Sequence, residues 1–325
     1  MTGSYDIVVK NSIVQFKFRV SRNITILRGD SATGKTTMVD MVRQHALEGD
    51  ASGVSISTQK ECTVLTGIRW QDEIRGIRDS IVFIDEGFSF VSSDEFARAI
   101  RDSDNYYVIA TRDSLFNLPY SIKEIYRIRT VSRRSKYQEY DRIYSEFYPI
   151  YDDSVKYVRP DAVIVEDSNA AYDFFNALCQ KEGIRCISAA GKTGIYSKIK
   201  ETTDGVVLVI ADGAAFGSEM ERVMSLRRVR NTVLFLPESF EWLILRSGLI
   251  DGAEVQDILK SPYDYIESGR YFSWERFFTV LLTERTVDTH LQYSKRRLNP
   301  NYLNDREASA IRKVISDMTG GDGQT

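Results

Sequence analysis

Histidine is almost missing from this chain and cysteine is scarce. His45 and His290 are the only imidazoles, and Cys62, Cys179 and Cys186 are an odd, scattered set without a C-x-x-C pair. No zinc-site spacing can be assembled from them, and the thiols are expected to be reduced. There is no run of eighteen apolar residues and no basic segment leading into a short apolar one, so neither a membrane span nor a secretory signal is supported. A cytoplasmic protein is the expectation. A net charge of −3, from 43 Lys and Arg against 46 Asp and Glu, argues against a chain that is basic all over. What remains is ordinary globular material: 325 residues, 42% hydrophobic and 27% charged, enough for two domains and a sizeable core.

Within this background, Gly29 to Thr36 read GDSATGKT, a complete G-x-x-x-x-G-K-[ST] loop. It lies between the apolar run Ile24-Thr25-Ile26-Leu27 and an amphipathic helical stretch that starts near Lys35. Glycines let backbone N–H groups turn toward a β-phosphate, the helix N-terminus adds its dipole, Lys35 reaches the β/γ oxygens, and the Thr36 hydroxyl can ligate Mg²⁺. The candidate nucleotide contacts are Gly29, Asp30, Ser31, Ala32, Thr33, Gly34, Lys35, Thr36 and Thr37. A metal-bound nucleotide needs a further carboxylate. Ile81-Val82-Phe83-Ile84-Asp85-Glu86, an apolar strand ending in two acids, supplies it in Walker B form. Asp85 is then a metal ligand beside Thr36, and Glu86 is placed to orient or deprotonate the attacking water. A third apolar run, Tyr106 to Ala110, ends in Thr111-Arg112, either a sensor of the γ-phosphate or, for Arg112, a surface salt-bridge residue. Lys35, Glu86 and Arg112 are the candidate catalytic residues.

Spacing and missing motifs narrow the class. About 45 residues separate Thr36 from Ile81 and no LSGGQ-like signature precedes the second motif, which disfavours an ordinary ABC-type ATPase. No [NT]-K-x-D guanine-reading motif is evident, so ATP is expected rather than GTP. A small-molecule kinase is a further reading, but no lid arginine pattern supports it. Many such sheets complete their site with an arginine from a neighbouring subunit, which makes a homo-oligomer plausible.

One segment concentrates positive charge. From Arg127 to Arg142 the chain carries Arg127, Arg129, Arg133, Arg134, Lys136 and Arg142, with Tyr126, Tyr137, Tyr140 and Tyr144 interleaved. The alternation reads as a β-hairpin. Its basic and aromatic side chains either track a nucleic-acid backbone and stack bases, or protect a solvated edge hairpin closing the sheet. The edge hairpin is the expectation.

Past Pro149 the pattern restarts with Ala162-Val163-Ile164-Val165. Helix and strand signals alternate: helix 168–181, strand 184–188, helix 193–200, strand 206–210, helix 219–228 and strand 232–236. Such order implies a small parallel sheet with helices on both faces. Glu166 and Asp167 end its first strand and Asp212 its third, so the acids should converge at the carboxyl edge. Gly191-Lys192-Thr193 is a turn before a helix and not a second phosphate loop, because Cys186 stands where the first glycine must be.

Three stretches of this region resemble the TOPRIM domain, the metal-dependent module of topoisomerases, bacterial primases and OLD (overcoming lysogenization defect) nucleases. Residues 164–170 (IVEDSNA) are similar to its V-E-G-x-x-D stretch, 188–195 (SAAGKTGI) to its G-K-containing connection, and 211–217 (ADGAAFG) to its D-G-D-x-x-G stretch. The resemblance implies Glu166 and Asp212 as Mg²⁺ ligands. This chain departs from the pattern at three positions: Ala214 replaces the second Asp of D-x-D, Asn169 stands where a further Asp is common, and Asp167 replaces a glycine. Glu219, Glu238 or Glu241 are the acids available to compensate. An active nuclease and a degenerate binding domain both remain open. So does a receiver-like domain, which wants the same acid order but also a Lys-Pro after a fifth strand that is not found here.

Beyond Phe240 helical periodicity runs to about Met318, with Phe272, Trp274, Phe277, Phe278, Val280, Leu281 and Leu282 as a core block. Lys295-Arg296-Arg297 reads as a solvated turn. The expected fold is α/β: a P-loop NTPase parallel sheet with helices on both faces (1–158), a smaller TOPRIM-like α/β domain (159–245), a helical C-terminal region (246–318) and a disordered tail (319–325). The combination resembles OLD-type proteins. That likeness implies an ATPase whose nucleotide state controls a Mg²⁺-dependent module acting on DNA or RNA. The alternative is an ATP-dependent protein-binding switch with a catalytically dead second domain.

Overall fold

A computed structural model describes residues 1–29, 33–131, 142–151, 158–203 and 205–319. The tail at 320–325, and Arg133, Arg134, Lys136, Tyr137 and Tyr140 of the basic segment, lie outside the described residues. The chain divides into two compact units, residues 1–151 with 263–272, and residues 152–262 with 273–325.

In the first unit the elements are β1 (Tyr5–Lys10), β2 (Val14–Val20), β3 (Ile24–Leu27), α1 (Lys35–Glu48), β4 (Ser55–Ser57), β5 (Glu61–Val64), α2 (Trp70–Gly76), β6 (Ser80–Ile84), α3 (Asp94–Arg101), β7 (Tyr106–Ala110), β8 (Ile125–Val131) and β9 (Ile143–Pro149). They build one nine-stranded sheet in the order β4-β1-β2-β9-β8-β3-β7-β6-β5. β3, β6 and β7 are buried at every residue, the continuous apolar runs expected of parallel strands covered on both faces. Met38, Val39, Met41 and Val42 of α1 pack onto one face with Phe16, Phe18, Phe83 and Val108. Stacked rings of Trp70 and Phe90, with Phe96 edge-on to Phe90 and to Tyr107, join α2 and α3 to β7.

The parallel sheet expected for this unit is in fact mixed. β3 pairs in parallel with β7 and β8, and β5-β6-β7 and β2-β9 are also parallel, but β1-β2, β1-β4 and β8-β9 run antiparallel. The hairpin β8-β9 is not at an edge either. It is inserted between β3 and β2, through a pairing of residues 14–17 with 143–146 that no local pattern encodes. Residues 263–272 return to this unit: Gly3 N donates to Tyr263 O at 2.7 Å, and Asn23 Nδ2 to Ser268 O at 3.0 Å. Phe272 therefore leaves the apolar block predicted around it and lies under the guanidinium of Arg101.

The second unit contains β10 (Ala162–Val165), α4 (Ala170–Lys181), β11 (Arg185–Ser188), α5 (Lys192–Glu201), β12 (Val206–Ile210), α6 (Met220–Leu226), β13 (Asn231–Phe235), α7 (Phe240–Arg246), α8 (Ala253–Lys260), α9 (Trp274–Thr286) and α10 (Asp305–Thr319). Its sheet is parallel throughout, in the order β11-β10-β12-β13, with every strand within two residues of its sequence-based position. α7 is buried from Phe240 to Leu245 and packs against α8, α9 and α10, as a helix apolar on all sides must. The Ser239 hydroxyl caps it by accepting from Trp242 N at 3.2 Å. Among the described residues no helix is long and apolar enough to cross a membrane. The three cysteines are free.

A buried ion pair ties β3 to the start of β8. Arg22 and Glu124, 8% and 4% exposed, meet at 3.5 Å, and Thr25 Oγ1 donates to Glu124 Oε2 at 3.0 Å. Glu124→Ala leaves a buried guanidinium without this carboxylate, and an equilibrium urea titration is expected to show a loss of about 3–5 kcal/mol. Glu124→Gln, which keeps an acceptor for Thr25, should lose less.

Candidate functional site

Two clusters of polar side chains stand at the carboxyl edges of the two sheets. The first follows β3, where Gly29 and Gly34 bound the G-x-x-x-x-G-K-T segment. Asp30, Ser31 and Ala32 lie outside the described residues. Gly34 sits at φ 93°, and a Cβ there would meet the Phe16 ring at 3.2 Å, so both conformation and space demand glycine. Lys35, the first residue of α1, is 3% exposed; its Nζ donates to Gly29 O at 2.5 Å and approaches Thr33 Oγ1 at 3.3 Å.

β7 lies between β3 and β6, so the loops after these three strands are neighbours. Thr36 Oγ1 donates to Asp85 Oδ1 at 3.3 Å. Lys35 Nζ is 3.5 Å from Glu86 Oε2, and Arg112 Nε forms an ion pair with Glu86 Oε1. Residues 35, 36, 85, 86 and 112, dispersed over nearly eighty positions of sequence, thus share one site. Thr111 does not join them: its hydroxyl accepts from Asp113 N at 3.0 Å and closes the turn after β7. A hydroxyl and a carboxylate side by side are hard oxygen donors of the kind Mg²⁺ takes.

The second cluster lies where β10 and β12 end, on either side of the point at which the strand order reverses. Asp212 N donates to Glu166 Oε2 at 3.0 Å, and Gly191 N donates to Glu166 O at 2.7 Å. Gly213 N reaches Pro237 O at 2.6 Å, and a Cβ on Gly213 would lie 2.4 Å from Leu236 O; the close approach of the two loops requires glycine. Asp167 is turned back on its own loop, accepting from Ser168 N at 2.8 Å and Asn169 Nδ2 at 2.9 Å.

Three members of this cluster have no signal in the sequence. Glu275 of α9 and Lys295 form an ion pair and line, with Glu166 and Asp212, a hollow of about 210 Å³. Tyr293 donates to Glu241 Oε1 at 2.8 Å. Lys295, which the sequence reads as part of a solvated turn, points into the acids. Of the three candidates for compensation, Glu241 faces Asp212, whereas Glu219 is fully buried against Arg222, 2.5 Å away. Ala214 is buried.

Electrostatics follow from crowding acids in a partly dry hollow. Burial, then Glu275, pushes the Glu166 carboxyl up to about 7 against the opposing pull of the Asp212 amide, Lys192 and Lys295. Asp212 is raised well above the usual carboxylate range by burial, Glu275, Glu166 and Glu241. Burial alone would depress Lys295, but Glu275, Glu241 and Asp212 outweigh it and hold the ammonium charged. Burial lowers Lys192, whose Nζ reaches Ala215 O and Ser218 Oγ, each at 3.2 Å. A TOPRIM-type metal centre fits this arrangement poorly. Among the described residues no group of three or more His, Cys, Asp and Glu is placed to hold a metal ion, and the positive charge among the acids is supplied by Lys295.

No family model, no curated protein and no solved structure matches the chain.

Glu166 generates a pH dependence of defined sign. Below its ordinary value of 4.5 it is neutral folded and unfolded; between 4.5 and about 7 only the folded state keeps the proton; above that both states are ionised. Its contribution to stability is therefore lost as pH rises through 7. Glu166→Gln is expected to gain little at pH 5 and about 2–3 kcal/mol at pH 8, read by denaturant titration with chelator present. Parallel pH curves for variant and wild type would refute the assignment.

Proposed function

We propose that the chain is a cytoplasmic ATPase whose nucleotide state controls its second unit. The observation that carries this reading is the convergence of Lys35, Thr36, Asp85, Glu86 and Arg112 on one sheet edge at 3.5 Å or less in successive pairs. Lys35 and the loop amides hold the β- and γ-phosphates, and the Thr36 hydroxyl and Asp85 carboxylate hold Mg²⁺. Bound Mg²⁺ supplies neutralisation of the charge that builds on the phosphates. Glu86 orients the attacking water and takes its proton. Glu86 is paired on both sides, by Lys35 and by Arg112. Triphosphate oxygens compete for these two cations, so binding frees the carboxylate for its work as a base, and Arg112 passes to the γ-phosphate. A second copy of the chain completing the site remains part of the proposal.

For the second unit the regulatory reading is favoured over a Mg²⁺-dependent nuclease. The acids of the hollow are balanced by Lys295 and Lys192, and the second Asp of the TOPRIM pattern is the buried Ala214. The nuclease reading draws on the meeting of Glu166, Asp212 and Glu275 at one hollow. The two are separated by incubating the protein with single- and double-stranded DNA and RNA, Mg²⁺ or Mn²⁺, with and without ATP. ATP turnover without cleavage supports the switch; cleavage lost in Asp212→Ala establishes a nuclease.

Lys35→Ala is expected to abolish ATP binding in a titration with fluorescent nucleotide, and unchanged affinity would sink the assignment of the loop. Glu86→Gln should bind ATP at least as well as wild type yet release phosphate on the order of 10²–10⁴-fold more slowly.

A further inference from the structure

We infer that the outer face of β1, β2, β9 and β8 is a binding surface for single-stranded nucleic acid. Register places its residues. Lys17 stands beside Glu146 and Glu146 opposite Arg129; Gln15 stands beside Tyr144; Arg127 stands opposite Tyr148. Residues paired in register share a face of a sheet, and the intervening residues Phe16, Phe18, Ile128 and Phe147 belong to the core. The face bearing Lys17, Arg127, Arg129, Tyr144 and Tyr148 is thus the one turned away from α1, and Lys17, Arg127 and Arg129 are exposed.

Charge and ring placement select the partner. Arg19 on the same face is balanced by Asp6 at 2.9 Å, and Glu146 offsets one further cation. Lys10, Lys17, Arg127 and Arg129 leave this face positive on a chain whose net charge is −3. Strands spaced about 4.8 Å apart carry these cations as a two-dimensional array, which suits a phosphate backbone crossing the strands. Tyr144 and Tyr148 are four residues apart on one strand, about 13 Å at the rise of a β-strand, and offer rings for unpaired bases. The Arg129 guanidinium lies 5.6 Å from the Tyr148 ring centre and adds a second planar, positively charged surface. No Trp, Phe or Leu stands on this face among the described residues, which disfavours a lipid bilayer, where such anchors insert. Bases held inside a duplex cannot reach the rings, so unpaired strands are favoured. This surface belongs to the first unit and depends neither on ATP hydrolysis nor on the chemistry of the second unit.

The test is fluorescence anisotropy of short labelled single-stranded DNA and RNA of mixed sequence at low salt, with the corresponding duplex and phosphatidylserine vesicles as comparators. The full-length protein is compared with Lys17→Glu/Arg127→Glu and with Tyr148→Ala, each checked by circular dichroism and by retained nucleotide affinity. Single strands should bind better than duplex or vesicles. The charge reversal should weaken binding by roughly ten-fold or more and flatten its salt dependence, and Tyr148→Ala should weaken binding by several fold with the salt dependence unchanged. The inference is overturned if the wild type binds no single strand, if both folded variants bind like wild type, or if duplex or vesicles bind as tightly. Loss of nucleotide binding with oligonucleotide binding intact would strike the ATPase reading alone.

Discussion

The first unit is organised by β3, four residues that are wholly buried and bonded in parallel to a strand on each side. A strand in that position cannot shift register without exposing apolar side chains and breaking two ladders at once. Its far end is therefore fixed in space, and there the G-x-x-x-x-G-K-T segment begins. Thr25, in the middle of this strand, donates to Glu124, which also meets Arg22. The same buried contact that locks β3 thus sets where β8 starts. Because β7 and β6 follow outward in order, Arg112 and the acids after β6 arrive beside Lys35.

Both units place charge at the carboxyl ends of parallel strands, but they balance it differently. After β3, β6 and β7 the cations and acids pair with one another at a partly exposed site: Lys35 is buried and Arg112 more than half exposed. Exchange of partners is then inexpensive, as the proposed nucleotide site would require. In the second unit the acids crowd a buried hollow, and Lys295 and Lys192 are built in among them. The desolvation of so many carboxylates raises Glu166 and Asp212. A fixed internal ammonium does part of what a bound cation would do, without leaving. That contrast is the physical basis for proposing turnover at the first site and a regulatory role for the second.

Much of the architecture was legible in the chain. The alternation from Ala162 to Phe235 marked each strand of the second sheet because fully buried parallel strands leave continuous apolar runs bounded by polar turns. The loop GDSATGKT and the strand ending in Asp85-Glu86 are likewise local patterns. Less legible was the interior position of β8-β9, because it rests on the pairing of β2 with β9 across more than a hundred residues of sequence. The return of residues 263–272 to the first unit had no local cue either; it is held by backbone bonds to Gly3 and side-chain bonds from Asn23.

By itself the sequence determined the α/β class, the G-x-x-x-x-G-K-T segment with its acid-ended strand, and the acids Glu166 and Asp212 as neighbours, since each follows from short-range periodicity or spacing. Only the tertiary structure decided that Arg112 rather than Thr111 meets Glu86, that Glu275 and Lys295 enter the acidic hollow while Tyr293 bonds Glu241, and that Arg127 and Arg129 of β8 lie within the sheet and share a face with Lys17. Those outcomes depend on which distant segments pair and on which side of a strand or loop points inward. Such long-range closure is set by the packing of the whole unit and leaves no mark in any local window of the chain.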